Sequence, residues 1–113
     1  MGKVFFALII IFMGCKDSMT TIFYVNPDAS SIYRINRNTF KRFFGDEIRM
    51  KTVDSEIVLN CVNQLELTSE KFSIDTRALI IINNDTLEAN KFYLKKNENI
   101  YRMTKELNSL IWN

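Results

Sequence analysis

With 113 residues, 47% of them hydrophobic and only one a proline, the chain is long enough to fold one domain around one core and too apolar to be disordered. Its 15 Lys and Arg nearly balance 13 Asp and Glu, for a net charge of +2, which argues against a dedicated nucleic-acid binder, since those carry a clearly basic surface. Histidine is absent, which removes the commonest general base, the commonest metal ligand and every Ser-His or Cys-His nucleophile pair. No Gly-rich phosphate loop and no cluster of metal ligands occurs, so no cofactor is expected.

Met1-Gly2-Lys3 leads into an apolar run, Val4 to Met13, followed by Gly14-Cys15-Lys16-Asp17-Ser18. One positive charge, about ten apolar residues and a small residue before a cleavage point are the parts of a secretory signal. The run is too short to cross ~30 Å of hydrocarbon, which takes ~20 residues. Gly14-Cys15 resembles the end of the lipobox of bacterial lipoproteins, whose cysteine is acylated before cleavage. Phe12 and Met13 depart from that motif's usual Leu and small residue. The resemblance covers residues 1–15 and none of the folded body. It implies loss of residues 1–14, palmitate-type lipid on Cys15, and anchorage to a membrane of the cell envelope on its extracytoplasmic side. A plain secretory signal with an incidental Cys15 and an uncleaved anchor are the alternatives. N-myristoylation is disfavoured, because Phe6 stands where Ser or Thr is expected.

Lys3 is the only charge lost with the signal, so residues 15–113 keep 14 basic and 13 acidic side chains, a net +1. If Cys15 takes the lipid, Cys61 has no disulfide partner in the chain, and the domain must stand on its core. Residues 15–20 form a short tether and 21–113 a single domain. The five residues Lys16 to Thr20 reach at most ~18 Å, which keeps that domain close to its membrane.

Thr21 to Val25, β-branched and aromatic, reads as a strand. Asn26-Pro27-Asp28 is a turn, and Ser31 to Ile35 reads as the return strand. Asn38-Thr39 caps a short helical turn that runs through Phe44 and ends at Gly45. Glu47 to Val53 alternates as a half-buried strand with Ile48, Met50 and Thr52 on one face. Asp54 or Ser55 caps the main helix, with Ile57, Val58, Cys61, Val62 and Leu65 forming one apolar stripe. Phe72 to Ile82 reads as a central strand buried on both faces. Asn83-Asn84-Asp85 is its hairpin turn. Thr86 to Leu94 returns with a phase change near Asn90 that suggests a bulge. Lys95 to Asn99 is a turn, Ile100 to Met103 a last strand, and Thr104 caps a C-terminal helix that buries Leu107, Leu110 and Ile111. The expected fold is α+β: a mostly antiparallel sheet of five to six strands with the helices on one face.

The body holds few candidates for chemistry. Arg34, Arg37, Lys41 and Arg42 stand among Tyr33, Phe40, Phe43 and Phe44 with no acid between them, a pattern that suits an anionic surface. The alternative is a solvated face with its aromatics in the core. Cys61 reads as a buried small hydrophobe. Asp46-Glu47 and the Asp54, Glu56 pair read as surface and helix-start acids rather than a catalytic couple. Asp75 and Arg77 flank Thr76 and are placed to form an ion pair. Trp112 reads as a packing anchor.

The chain therefore reads as a non-enzymatic binding or structural module on a membrane tether, with an envelope protein or the lipid surface as partner. An inhibitor or immunity-type lipoprotein that blocks an envelope-targeting enzyme is the alternative, and a hydrolase using carboxylates or a Ser-Lys pair is a third reading. A flat surface favours the first, a protruding loop or exposed aromatic patch the second, and a deep polar pocket the third.

Overall fold

A computed structural model describes residues 19–113, so Cys15 and the signal segment lie outside the described residues. Strand β1 (Met19–Tyr24) leads through a loop to helix α1 (Arg37–Phe44), a 3-10 turn (Gly45–Glu47) and β2 (Arg49–Asp54). Helix α2 (Ser55–Asn63) and a two-residue strand, β3 (Glu66–Leu67), follow. Strands β4 (Ala78–Ile82), β5 (Asp85–Ala89), β6 (Tyr93–Lys96) and β7 (Asn99–Arg102) then run as a meander into helix α3 (Lys105–Trp112). The strands make one sheet in the order β2-β1-β4-β5-β6-β7-β3, with every pairing antiparallel. The α+β class holds, with seven strands rather than five or six.

Residues opposed across an antiparallel ladder share a face, and successive residues alternate. The row Ile22, Ile80, Leu87 therefore faces one way, onto Val58 and Val62 of α2 and Leu107 and Ile111 of α3. The row Phe23, Leu79, Glu88, Lys95 faces the other way, toward Phe40 and Phe44 of α1. The helices thus cover both faces, not one. Leu79 and Ile80 are both buried, so β4 is the central, doubly covered strand its apolar run suggested.

Four local expectations fail for identifiable reasons. Ser31 to Ile35 forms no strand: Ile35 N donates to Asp75 Oδ1, its carbonyl accepts from Thr76 N, and Ser31 Oγ is bound to Arg77 Nη2, so no ladder forms. Residues 72–77 are not strand either, and regular pairing starts only at Ala78. Asn90 marks a chain reversal rather than a bulge, because its Oδ1 accepts from Phe92 N (2.9 Å) and Tyr93 N (2.8 Å) and splits the expected strand into β5 and β6. β2 has the opposite phase to that expected. Lys51 lies opposite Ile22 on the main-core face, while Met50 is 62% exposed. Lys51 is tolerated there because Nζ reaches the Leu110 carbonyl at 3.1 Å and sits 5.0 Å from the Tyr24 ring.

Capping and turn chemistry agree closely with the sequence. Asp54 Oδ1 accepts from Glu56 N at the start of α2, and Thr104 Oγ1 from Leu107 N at the start of α3. Helix α1 starts two residues earlier than expected, on a capping box built by Asn36 and Thr39, and ends at Gly45 with φ +50°. Asn83 and Asn84 have φ of 52° and 74°, the pair of left-handed residues that a two-residue hairpin needs. Asn84→Ala should therefore cost about 1 kcal/mol, because alanine lacks asparagine's tolerance of that region, while Asn84→Gly should be neutral or better. Thermal unfolding of the two variants checks the difference.

Candidate contact surface

Arg77 organises one end of the molecule. It is 5% exposed and forms a fork with Asp75, Nη1 to Oδ1 and Nη2 to Oδ2 at 3.0 Å each. Nε donates to the Ala29 carbonyl at 3.0 Å, Nη1 also to the Thr76 carbonyl at 2.9 Å, and Nη2 to Ser31 Oγ at 3.2 Å. Its guanidinium lies 5.2 Å from the Phe44 ring of α1. The ion pair expected from the Asp75, Arg77 spacing is present, and it braces the 26–36 loop. Asn26 Oδ1 closes the first turn by accepting from Asp28 N, and Lys91 pairs with Asp28.

On this braced loop Ile32 is 98% exposed and Tyr33 is exposed beside it. Tyr33 meets Phe43 edge-on at 5.6 Å, and Phe43 meets the buried Phe44 at 4.9 Å. An apolar ridge therefore runs from solvent down to the core. The basic residues distribute around it. All four of Arg34, Arg37, Lys41 and Arg42 are exposed. In α1, Phe40 and Phe44 face the sheet, so Arg42, two residues from each, lies on the outward side next to Phe43. Arg34 adjoins Tyr33 in the loop. Arg37 and Lys41, four residues apart, share the other flank, where Lys41 Nζ sits 4.7 Å above Phe23. The ridge thus brings Tyr33 and Phe43 together beside Arg34 and Arg42, and Arg37 and Lys41 stand apart from it. Asp46 and Glu47 follow Gly45 at its border.

The surface has a definite place in the sheet. Met19 lies opposite Asp54, and β4 ends in the Asn83-Asn84 turn at the same end. Tyr24 lies opposite Ala78 at the other end, where Val25 N donates to the Arg77 carbonyl. Five strand steps of ~3.3 Å separate Met19 from Tyr24, about 17 Å. The loop with Ile32 and Tyr33 leaves from the Tyr24 end. The Met19 end carries exposed Asp54, Glu56 and Asp85.

A polar cleft lies on the α1 face, about 370 Å³ in volume, where Glu88, Lys95, Arg37, Asp85 and Glu98 meet. Glu88 is the one carboxylate in it that is nearly buried, at 8% exposure. Sequence patterning gives no sign of it. Its Oε1 accepts from Arg37 N and from Thr76 Oγ1, both at 2.9 Å, so it caps α1 from the sheet. That occupation makes it a structural group. Glu88→Ala should cost about 1.5–3 kcal/mol by leaving both donors unpaired, and Glu88→Gln, which keeps an acceptor, distinctly less. Urea unfolding of both variants measures the effect.

Of the remaining sequence candidates, Trp112, Asp54 and Cys61 take part in packing or capping. Trp112 Nε1 donates to the Val25 carbonyl at 2.8 Å, the packing role expected of it. Asp46, Glu47, Asp54 and Glu56 are all exposed, and Asp54 is spent as a cap. Cys61 is half-buried rather than buried, and Ile57 of its stripe faces solvent, since Val58 and Val62 carry the contact with the core. Burial, and then the nearby Glu106 carboxylate, push the Cys61 thiol above its ordinary pKa. It should react more slowly with a thiol reagent at neutral pH than an unfolded control does. Because the folded-state pKa is the higher one, its contribution to stability is complete below the ordinary thiol pKa of ~8.5 and is lost as pH rises through the raised value.

Among the described residues no three His, Cys, Asp or Glu side chains gather as metal ligands would, and no helix is long and apolar enough to cross a membrane. Compared with protein-family models, characterised proteins and solved structures, the chain matches none.

Proposed function

We propose that this chain is a small lipid-tethered module of the cell envelope that works by protein contact rather than catalysis. The observation that carries the reading is the polarity of the sheet. β1 begins at Met19, four residues after the proposed lipid site Cys15, and those four steps reach at most ~14 Å. The braced loop with Ile32 and Tyr33 leaves from the opposite end of β1. A tether at Cys15 therefore holds the acidic end of the sheet toward the membrane and presents the loop away from it. Two further points favour contact over chemistry. The chain has no histidine, and the buried carboxylate of its polar cleft is already bound to Arg37 N and Thr76 Oγ1. A braced loop that exposes Ile32 and Tyr33 also favours the inhibitor or immunity-type version of this reading, in which these side chains enter a partner's cleft.

Cell fractionation of the full chain tests the tether. Wild type should sediment with membranes as a processed, acylated form, and Cys15→Ser should be released or remain unprocessed. A Cys15→Ser variant that is processed and fractionates like wild type removes the tether and the orientation built on it.

A further inference from the structure

We infer that the ridge formed by Ile32, Tyr33 and Phe43, flanked by Arg34 and Arg42, docks into an apolar recess rimmed by acidic side chains on a partner protein; this rests on the contact-module reading above. Three features of the surface specify that partner. The first is Ile32. A β-branched apolar side chain 98% exposed in a loop contributes nothing to this core, and it has the size to fill a pocket. The second is charge. Residues 33–44 hold four basic side chains and no acidic one, so the rim that meets Arg34 and Arg42 is negative. The third is rigidity. Arg77 and Asp75 bind the loop at Ala29, Ser31 and Ile35, so little ordering remains to be done when it docks.

An anionic lipid surface has the same charge chemistry but the wrong position. With the tether at Cys15, the Met19 end, with its exposed Asp54, Glu56 and Asp85, is the end nearest the membrane, and the loop leaves the sheet about 17 Å further along β1. Screening at physiological salt removes attraction beyond ~8 Å. The occupant to which the surface is fitted is therefore a protein.

The test places a photo-crosslinking phenylalanine analogue at position 33 of the full chain, where it keeps an aromatic ring in place of Tyr33 and leaves Ile32 intact, in the cells that make it, and at exposed position 57 on α2 as control. The crosslinked protein is identified, purified and titrated against the full chain. The inference expects an acidic protein captured from position 33 and not from 57. Ile32→Ala should weaken its binding about tenfold or more, as loss of a pocket-filling anchor does. Arg34→Ala with Arg42→Ala should weaken binding at low salt and flatten its salt dependence. Ile32 is solvent-exposed, so unchanged thermal unfolding of Ile32→Ala separates lost contact from lost fold. Capture of lipid only, of a second copy of this chain only, or of a protein whose binding ignores all three substitutions overturns the inference. Capture from position 57 alone overturns this surface while leaving the contact module standing. No protein captured from either position removes both.

Discussion

Arg77→Ala is expected to cost about 3–5 kcal/mol, from buried hydrogen-bond partners left unpaired at ~1–3 kcal/mol each together with lost packing. The loss does not come mainly from the ion pair. Asp75 is 41% exposed, so water screens its share of the attraction. It comes from the Ala29 and Thr76 carbonyls, which lose their guanidinium donor, and from the void beneath Phe44. Arg77→Lys should recover only part of the stability, because an ammonium keeps the charge but cannot span Asp75, Ala29 and Ser31 at once. Asp75→Asn should be milder than Arg77→Ala. Urea unfolding gives the three values, and amide exchange over residues 29–35 should rise most in Arg77→Ala. A cost below about 1 kcal/mol for Arg77→Ala would show that the loop is held by other means.

Phe40→Ala is the second large effect, also about 3–5 kcal/mol. Phe40 is 0% exposed and packs with Val25, Ile35, Phe44 and Leu79 in the smaller core on the α1 face. Its ring meets Phe44 edge-on at 5.4 Å, so truncation also removes an aromatic pair. The α1 face has fewer buried side chains than the face under α2 and α3 and less capacity to close the void. Phe40→Leu should restore most of the loss, since it refills volume without the ring geometry. Near-ultraviolet circular dichroism and urea unfolding follow the two effects. Unfolding of α1 alone, with the main core intact, would show as a separate low-denaturant transition.

The sequence was most informative where structure is local. Asn83-Asn84 announces its turn because few residues tolerate two successive left-handed conformations. Asp54 and Thr104 announce helix starts because their short polar side chains reach the orphan amides two and three residues ahead. The Asp75, Arg77 pair was legible because opposite charges two residues apart lie within ion-pair reach of each other, even though regular strand pairing starts only at Ala78. Glu88 was invisible for the opposite reason. In sequence it is one acid in an ordinary amphipathic strand, and only the packing of α1 over β5 brings Arg37 N to it and the pairing of β4 with β5 brings Thr76 Oγ1. Ser31 to Ile35 misled in the same way. Its composition suits a strand, but a ladder needs a neighbour, and at that place Arg77 and Asp75 supply hydrogen bonds instead.

By itself, the sequence determined the α+β class, the caps and hairpin turn, the central position of β4 and the absence of histidine-based chemistry. These follow from side-chain period, backbone tolerance and composition, which act within a few residues. Only the tertiary structure decided that helices cover both faces, that β2 turns Lys51 rather than Met50 toward the main core, and that Ile32 stands in solvent at the end of the sheet away from Met19. Each of those depends on which strand lies beside which and which helix lies above it. Period two shows that alternate residues share a face, but which face is buried is settled only when the layers meet.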